Sequence, residues 1–392
     1  MTGPLSIALE PAKALSAEAE ARLLRAALAD NPDSLPLRVR LARVVQALDR
    51  FDETIALLGG ALDRLDYGPA LMLAGAGFAA GDHALVARAI DHALALASSP
   101  AEQARALADQ AKLLRQRGDA RQAAALLHRA LELDPHAVTA FKRLALQMLS
   151  HGDHAGVEAL TGRLIAQEVC HARVLAARTM ALATLGRIAE AREVAGGQFL
   201  HRVPPRGSDA AQVNQLLAAE LLGNPALRHD RFGTASIKTG RLDSPTAADS
   251  PLWTQQLVWI ARQVERWANH LGPADHPWLA ARPERALLRS WCVITGAEGH
   301  EGWHMHPDGW LSGGFYPQIP AGLDAAPGPA GHFALGLPPG LPGSQAASQF
   351  GEQTLLPAAG ELILFPSHAY HHTYPHSMAQ QRVCIAFDII PA

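Results

Sequence analysis

Gly118, Gly152 and Gly186 stand 34 residues apart, and Gly81 precedes the first of them by 37. Each lies in a short polar turn: Ala79-Ala-Gly-Asp-His83, Arg115-Gln-Arg-Gly-Asp-Ala120, Leu149-Ser-His-Gly-Asp-His154 and Thr184-Leu-Gly-Arg-Ile188. A related turn runs from Ala47 to Asp52. A fixed period limits the fold more than any other property of the chain. Every period has to be one copy of a small unit that buries its apolar face against the next copy. Pro100–Pro135 shows one unit most clearly. Apolar residues fall at helical spacing on both sides of Gly118, alanines leave room for close helix contact, and Pro135 closes the unit.

The period, the turn and the alanine and proline positions resemble the tetratricopeptide repeat over roughly residues 20–196. The resemblance implies an all-α solenoid over residues 1–196 with a concave face. Such a face can hold a peptide or protein, and it serves equally well as a scaffold or as the surface of a homodimer. Fold alone does not choose among these roles.

After about Gly197 the chain changes character. All seven tryptophans and most prolines lie beyond position 250. Residues 197–285 read as a helical and loop connection. Pro251–His270 is an amphipathic helix there, with Leu252, Leu257, Ile260 and Val264 on one face. His270 and His276 read as surface or turn residues. Beyond residue 286 the pattern predicts strands over Leu288–Ile294, Leu311–Ile319, Glu361–Phe365 and Arg382–Ile390. Short strands joined by Gly- and Pro-rich loops point to a jelly roll. The expected class is α+β and multidomain: a solenoid over 1–196, a connection over 197–285 and a β-barrel core over 286–392.

The formal net charge is −3 and no basic run stands out, so nucleic acid is not an expected partner. No uncharged apolar run approaches the ~20 residues of a membrane-spanning helix. The start of the chain, with Pro4 and Glu10, does not read as a secretory signal. Cys170, Cys292 and Cys384 are odd in number and far apart, which speaks against a disulfide framework and for the cytoplasm.

Histidines cluster at His300-Glu-Gly-Trp-His304-Met-His306 and at His368-Ala-Tyr-His371-His372-Thr-Tyr-Pro-His376. On a strand, His304 and His306 point to the same side, because side chains alternate with a period of two. A third histidine from a distant strand would complete a facial set with positions left open on the metal. Imidazole suits iron, zinc and copper alike, so spacing does not name the metal. His300–His304 also matches the HExxH pattern of zinc peptidases. That motif works only on a helix, and Gly299, Gly302, Pro307 and Gly309 oppose one here. His368, His372 and His376 read as surface residues or supports of the site, and Trp303 and Trp310 as packing.

His304-Met-His-Pro-Asp-Gly-Trp-Leu-Ser-Gly-Gly-Phe-Tyr316 resembles the HxHPxGWLSxxYY segment of a bacterial family of 2-oxoglutarate/Fe(II) oxygenases. Leu364-Phe-Pro-Ser-His-Ala-Tyr-His371-His-Thr-Tyr-Pro375 followed by Arg382-Val-Cys-Ile-Ala-Phe-Asp388 is similar to its LFPSxxxHxTxP and RxxxAFD segments. Members often carry tetratricopeptide repeats in front. The resemblance spans about residues 220–390 and implies a double-stranded β-helix that binds Fe(II), 2-oxoglutarate and O2. It implies His304, His306 and His371 as the metal ligands, with the alternative frame His306-Pro-Asp308 supplying a carboxylate instead. Arg382 would bind the distal carboxylate of 2-oxoglutarate, for which a planar guanidinium is well shaped. Tyr316 or Ser312 could add a hydrogen bond to the same carboxylate.

The function so implied is a dioxygenase that hydroxylates a peptide or protein side chain, or a small molecule, with the repeats gathering substrate or partner. Two other readings stay open. The barrel could be inactive, leaving a repeat-based binding or regulatory protein, or it could be a three-histidine dioxygenase that does not use 2-oxoglutarate.

Overall fold

The computed structural model describes residues 3–11, 14–229, 235–243, 245, 250–272, 275–339 and 345–392. Two compact units divide the chain, Leu15–Met148 and the combination of Met1–Ala14 with Leu149–Ala392. Among the described residues, no helix is long and apolar enough to cross a membrane.

Leu15–Met148 is helical: α1 (Ala17–Asp30), α2 (Leu35–Ala47), α3 (Phe51–Leu58), α4 (Tyr67–Ala80), α5 (His83–Leu96), α6 (Pro100–Gln116), α7 (Ala120–Leu133) and most of α8 (Val138–Ser150). The repeated Gly-Asp pair makes the hairpins. Gly81 and Gly118 end α4 and α6 in the left-handed region, at φ +75° and +90°, which costs glycine nothing. The following aspartate then caps the next helix. Asp82 Oδ1 accepts from Leu85 N at 2.9 Å, and Asp119 Oδ1 from Gln122 N at 3.0 Å. Leu73, Val86, Ala89 and Ile90 are fully buried between α4 and α5. Asp109 on α6 is buried too, and Arg143 of α8 meets it at 2.7 Å.

The second unit begins with the same device. Gly152 has φ +75°, and Asp153 caps α9 (His154–Ala166) through Gly156 N at 2.9 Å. Helices α10 (Ala172–Thr184) and α11 (Ile188–Ala195) follow, joined at Gly186 with φ +79°. Residues 3–14 and 149–196, which local periodicity groups with the repeats, thus share a compact unit with the strands. Periodicity registers a helix but not the core it packs on.

The remaining helices are α12 (Ser208–Leu222), α13 (Pro251–His270), α14 (Pro277–Ala280) and α15 (Gln345–Phe350). The strands are β1 (Ser6–Leu9), β2 (His201–Val203), β3 (Arg228–His229), β4 (Ser236–Asp243), β5 (Arg285–Glu301), β6 (Leu311–Gln318), β7 (Phe333–Leu335), β8 (Gln353–Leu355), β9 (Leu362–Pro366), β10 (His371–Thr373) and β11 (Arg382–Pro391). One sheet runs β2-β9-β6-β11-β5-β4-β3, with β1 parallel to the first residues of β5. A small sheet runs β10-β7-β8. All these pairings except β1 with β5 are antiparallel.

Alternation on β11 separates core from site. Val383, Ile385, Phe387 and Ile389 are fully buried against the core that holds Leu257, Ile260 and Val264 of α13. Arg382, Cys384, Ala386 and Asp388 face a cavity on the other side. Gly313 permits this packing, because a Cβ there would meet Ile363 O and the Phe387 ring at 2.5 Å. Trp278 and Trp310 clasp each other beneath the sheet. Each indole N–H donates to the other's carbonyl, at 2.7 and 2.8 Å, and the rings stack at 4.7 Å and 5°.

Candidate metal centre and active site

The backbone places the histidines. His304 and His371 form an antiparallel bridge, with N–O distances of 3.0 and 2.9 Å, and His306 N donates to Ser367 O at 2.9 Å. Residues 304–306 therefore extend the small sheet beside β10, and both side chains point inward. His304 and His371 have ring centroids 4.1 Å apart, and His306 lies 5.2 and 5.0 Å from them. One ligand atom from each of the three lies within 4.8 Å of the others. Asp308 is exposed and does not join this group. His300 and Glu301 end strand β5, so the HExxH residues do not share a helical face.

Each ring is held by its Nδ1. His304 Nδ1 lies 2.7 Å from Gly302 O, His371 Nδ1 3.0 Å from Ala369 O, and His306 Nδ1 2.7 Å from Asp388 Oδ1. Carbonyls and ionised carboxylates only accept, so all three Nδ1 atoms carry the proton. The Nε2 atoms are left as bare lone pairs. Those of His306 and His371 face each other at 3.2 Å in a buried place. Burial drives the His304 imidazole down to about 3 and His371 well below its usual range, with neighbouring histidines adding to both. Converging imidazole Nε2 atoms fit a metal cation.

Asp388 is supported in turn. Ser312 Oγ donates to Asp388 Oδ1 at 2.7 Å and lies 2.7 Å from Ser367 Oγ. The Ser312 hydroxyl is thus engaged with the carboxylate behind His306.

The three histidines and Arg382 line one cavity of about 430 Å³. Arg382 is only 3% exposed. Its Nε and Nη2 donate to Thr295 and Thr373 hydroxyls at 3.2 Å, and its Nη1 to Gly331 O at 3.1 Å. Among the described residues, no carboxylate pairs with it. A buried guanidinium held only by neutral acceptors, facing a cavity, suits an anionic ligand. Tyr316 lines the same cavity, and burial pushes its hydroxyl well above the ordinary range.

The histidines expected in surface or turn positions, or as supports of the site, are largely buried. His276 is buried, caps α14 through Trp278 N at 3.1 Å and donates to Glu193 O at 2.9 Å. His368 is buried and donates to Val194 O at 2.7 Å. His376 is buried with Nε2 3.0 Å from Thr295 O. His372 packs on Trp303 at 4.1 Å. Asp388 stands in the RxxxAFD segment, but sequence reading gave it no role. Its even spacing from Arg382 on β11 carries the signal, since residues six apart on a strand share a face.

Residues 289–388 match the family model described as "Putative 2OG-Fe(II) oxygenase". The C-terminal region carries a 2OG-Fe(II) oxygenase domain. No curated protein matches the chain. Solved structures similar to it include a Pseudomonas putida prolyl-4-hydroxylase, at 17% identity and TM-score 0.32, covering 56% of this chain and 99% of that one. A Burkholderia pseudomallei oxidoreductase of the 2OG-Fe(II) oxygenase family has 14% identity and TM-score 0.34, covering 53% and 90%. A tetratricopeptide repeat protein of Thermus thermophilus has 20% identity and TM-score 0.33, covering 41% and 88%. These scores are too low to carry an assignment, which rests on the family match. The matched span of the oxygenase domain contains all three histidines, Arg382, Ser312, Tyr316 and Asp388.

Proposed function

We propose that this chain is an Fe(II)- and 2-oxoglutarate-dependent dioxygenase that hydroxylates a peptide or protein side chain, or a small molecule. One observation supports the reading above others: the Nε2 atoms of three histidines and a buried guanidinium with no carboxylate partner among the described residues face a single cavity. His304, His306 and His371 would hold the iron. With O2, the bound iron and co-substrate would supply the oxidising power to insert oxygen into a C–H bond. Arg382 would anchor the distal carboxylate, and Tyr316, which lines the same cavity, would add a hydrogen bond. Ser312 acts through Asp388, which fixes the His306 ring. Val293, Phe333 and Phe365 form apolar walls that exclude water.

We read the two facing sheets as the double-stranded β-helix of this family, and residues 1–196 as the part that gathers substrate or partner. Three scattered thiols and an oxidation-sensitive Fe(II) site both favour the reducing cytoplasm. The decisive assay is succinate formation from 2-oxoglutarate with Fe(II) and ascorbate. Absence of succinate formation, even uncoupled, together with failure of the pure protein to retain iron would refute the proposal.

The third histidine in place of a carboxylate favours a second reading, a three-histidine dioxygenase that uses no 2-oxoglutarate. Oxygen consumption unaffected by 2-oxoglutarate would select it.

A further inference from the structure

Three arginines line the cavity that holds the histidines: Arg241, Arg289 and Arg382. The register of the large sheet spreads them over its inner face. Arg382 of β11 stands opposite Thr295 of β5, and Asp388, behind His306, stands opposite Arg289. Arg241 of β4 stands opposite Val293 of β5. Arg241 and Arg289 are therefore on other strands than Arg382, and both lie further toward the Asp388 end of the sheet. Arg289 is half exposed and has Glu10 at 3.4 Å.

Arg241 is sheltered and held in place. Its side chain is only 17% exposed, and its Nε donates to Asp243 Oδ1 at 2.8 Å. Asp243 is not in the cavity wall, so this bond holds the guanidinium from behind. The guanidinium carbon lies over the Trp291 ring, 4.7 Å from its centroid. Trp291 lines the cavity too and stacks on His306, with 5.5 Å between centroids and 25° between planes. Arg241 thus stands two ring contacts from a proposed metal ligand. Among the described residues, no hydrogen bond occupies its Nη1 or Nη2. Acids in the same wall are engaged elsewhere: Asp388 with His306 and Ser312, and Glu301 with the Ser236 hydroxyl at 2.8 Å. A guanidinium with one nitrogen tied and two terminal ones unused matches the two oxygens of a carboxylate. A phosphate dianion would call for a second cation at the same point, and Arg289 already has Glu10 beside it.

We propose that the substrate of this site carries a carboxylate, that Arg241 receives it through Nη1 and Nη2, and that Trp291 supports the carbon chain between that carboxylate and the atom to be oxidised. The proposal rests on the oxygenase reading of the cavity and narrows its substrate to an acid. The carboxylate can belong to a free monocarboxylic acid or to an acidic side chain of a peptide, and the test tells these apart. Two guanidiniums on different strands then keep the carboxylates of substrate and co-substrate separate, Arg241 for the first and Arg382 for the second.

The test uses the full-length protein loaded with Fe(II) and 2-oxoglutarate under nitrogen. One pool offers free monocarboxylic and amino acids beside their primary amides. Another offers blocked peptides with Asp or Glu beside their Asn or Gln counterparts. Ultrafiltration and mass spectrometry give the bound fraction of each member. In wild type, acids should outbind their matched amides by about tenfold in at least one pool, the scale of one charge-assisted hydrogen-bonded pair. The pool that shows the preference names the source of the carboxylate, and either source supports the proposal. Arg241→Gln should abolish the preference, and Arg241→Lys should keep part of it. Binding of 2-oxoglutarate to the Fe(II)-loaded protein, titrated calorimetrically under nitrogen, should be the same in both variants as in wild type. No preference for acid over amide in either pool, an equal preference in Arg241→Gln, or a loss of 2-oxoglutarate affinity in Arg241→Gln as large as that in Arg382→Ala would each overturn the proposal. The first of these outcomes is read on wild type, so it holds even where a variant fails to fold. Failure of wild type to bind 2-oxoglutarate would count against the oxygenase reading alone, since the acid preference is measured separately.

Discussion

The Nδ1 of His306 lies 2.7 Å from the Oδ1 of Asp388, and 82 residues of sequence separate the two. This contact decides which nitrogen of His306 faces the cavity. Asp388→Ala should free the ring to flip and weaken metal affinity by about 10- to 100-fold, the usual loss when a ligand's orienting partner goes. Calorimetric titration with Mn(II) measures it. Unchanged affinity would mean that packing alone orients the ring.

Removing a ligand should do more. His304→Ala or His371→Ala should leave no stoichiometric iron after purification, whereas Asp308→Ala should retain it. Metal analysis of the three variants separates the His304-x-His306 frame from the His306-x-Asp308 frame. Iron loss in Asp308→Ala would reverse the assignment.

Arg382→Ala should raise the concentration of 2-oxoglutarate needed for half-maximal succinate formation by about 100-fold, since charged hydrogen bonds to a buried ligand are lost. Arg382→Lys should recover only part, because a lysine cannot form the planar two-bond contact. Metal content should not change in either variant.

In the repeat unit, Asp109 is held by Arg143 at 2.7 Å and Arg105 at 3.6 Å. Asp109→Ala leaves Arg143 partly buried without its carboxylate and should cost about 3 kcal/mol. Urea unfolding of the full chain, followed by circular dichroism, should show the first transition moved to lower denaturant.

Acid should loosen the second unit in a defined window. Burial holds His368 down to about 3 and lowers His276, so both are neutral in the fold. Unfolded histidine titrates near 6.5. Both groups therefore contribute stability that is present above that value and is lost as pH falls towards the folded values. With metal removed by chelator, His368→Gln should show a shallower fall in melting temperature between pH 6.5 and 4.5 than wild type. Parallel slopes would show that His368 does not contribute.

Much of this was legible in the sequence. The Gly-Asp pairs gave the hairpin turns because a left-handed residue and a helix cap are local requirements. Strand β11 and helix α13 showed their periods plainly, and α13 spans the expected Pro251–His270. The three histidines were found through strand alternation and motif. What stayed hidden was non-local. His276 read as a surface or turn residue and His368 as a surface residue or a support of the site, because their acceptors, Glu193 and Val194, belong to a helix end far away in the chain. Strands β7, β8 and β10 have three residues each, too few to show a period. The link of Ser312 to Asp388 needs the pairing of β6 with β11, which no local pattern encodes.

The reciprocal Trp278–Trp310 clasp has an optical consequence. Two nearly parallel indoles 4.7 Å apart should couple their excited states and give a paired signal of opposite signs in circular dichroism. Trp310 follows His306 by four residues, so the signal should disappear when the stretch that carries two of the proposed metal ligands comes loose. The chain thus contains its own probe for that event, needing no label and separable from the melting of the helical repeats, which contain no tryptophan.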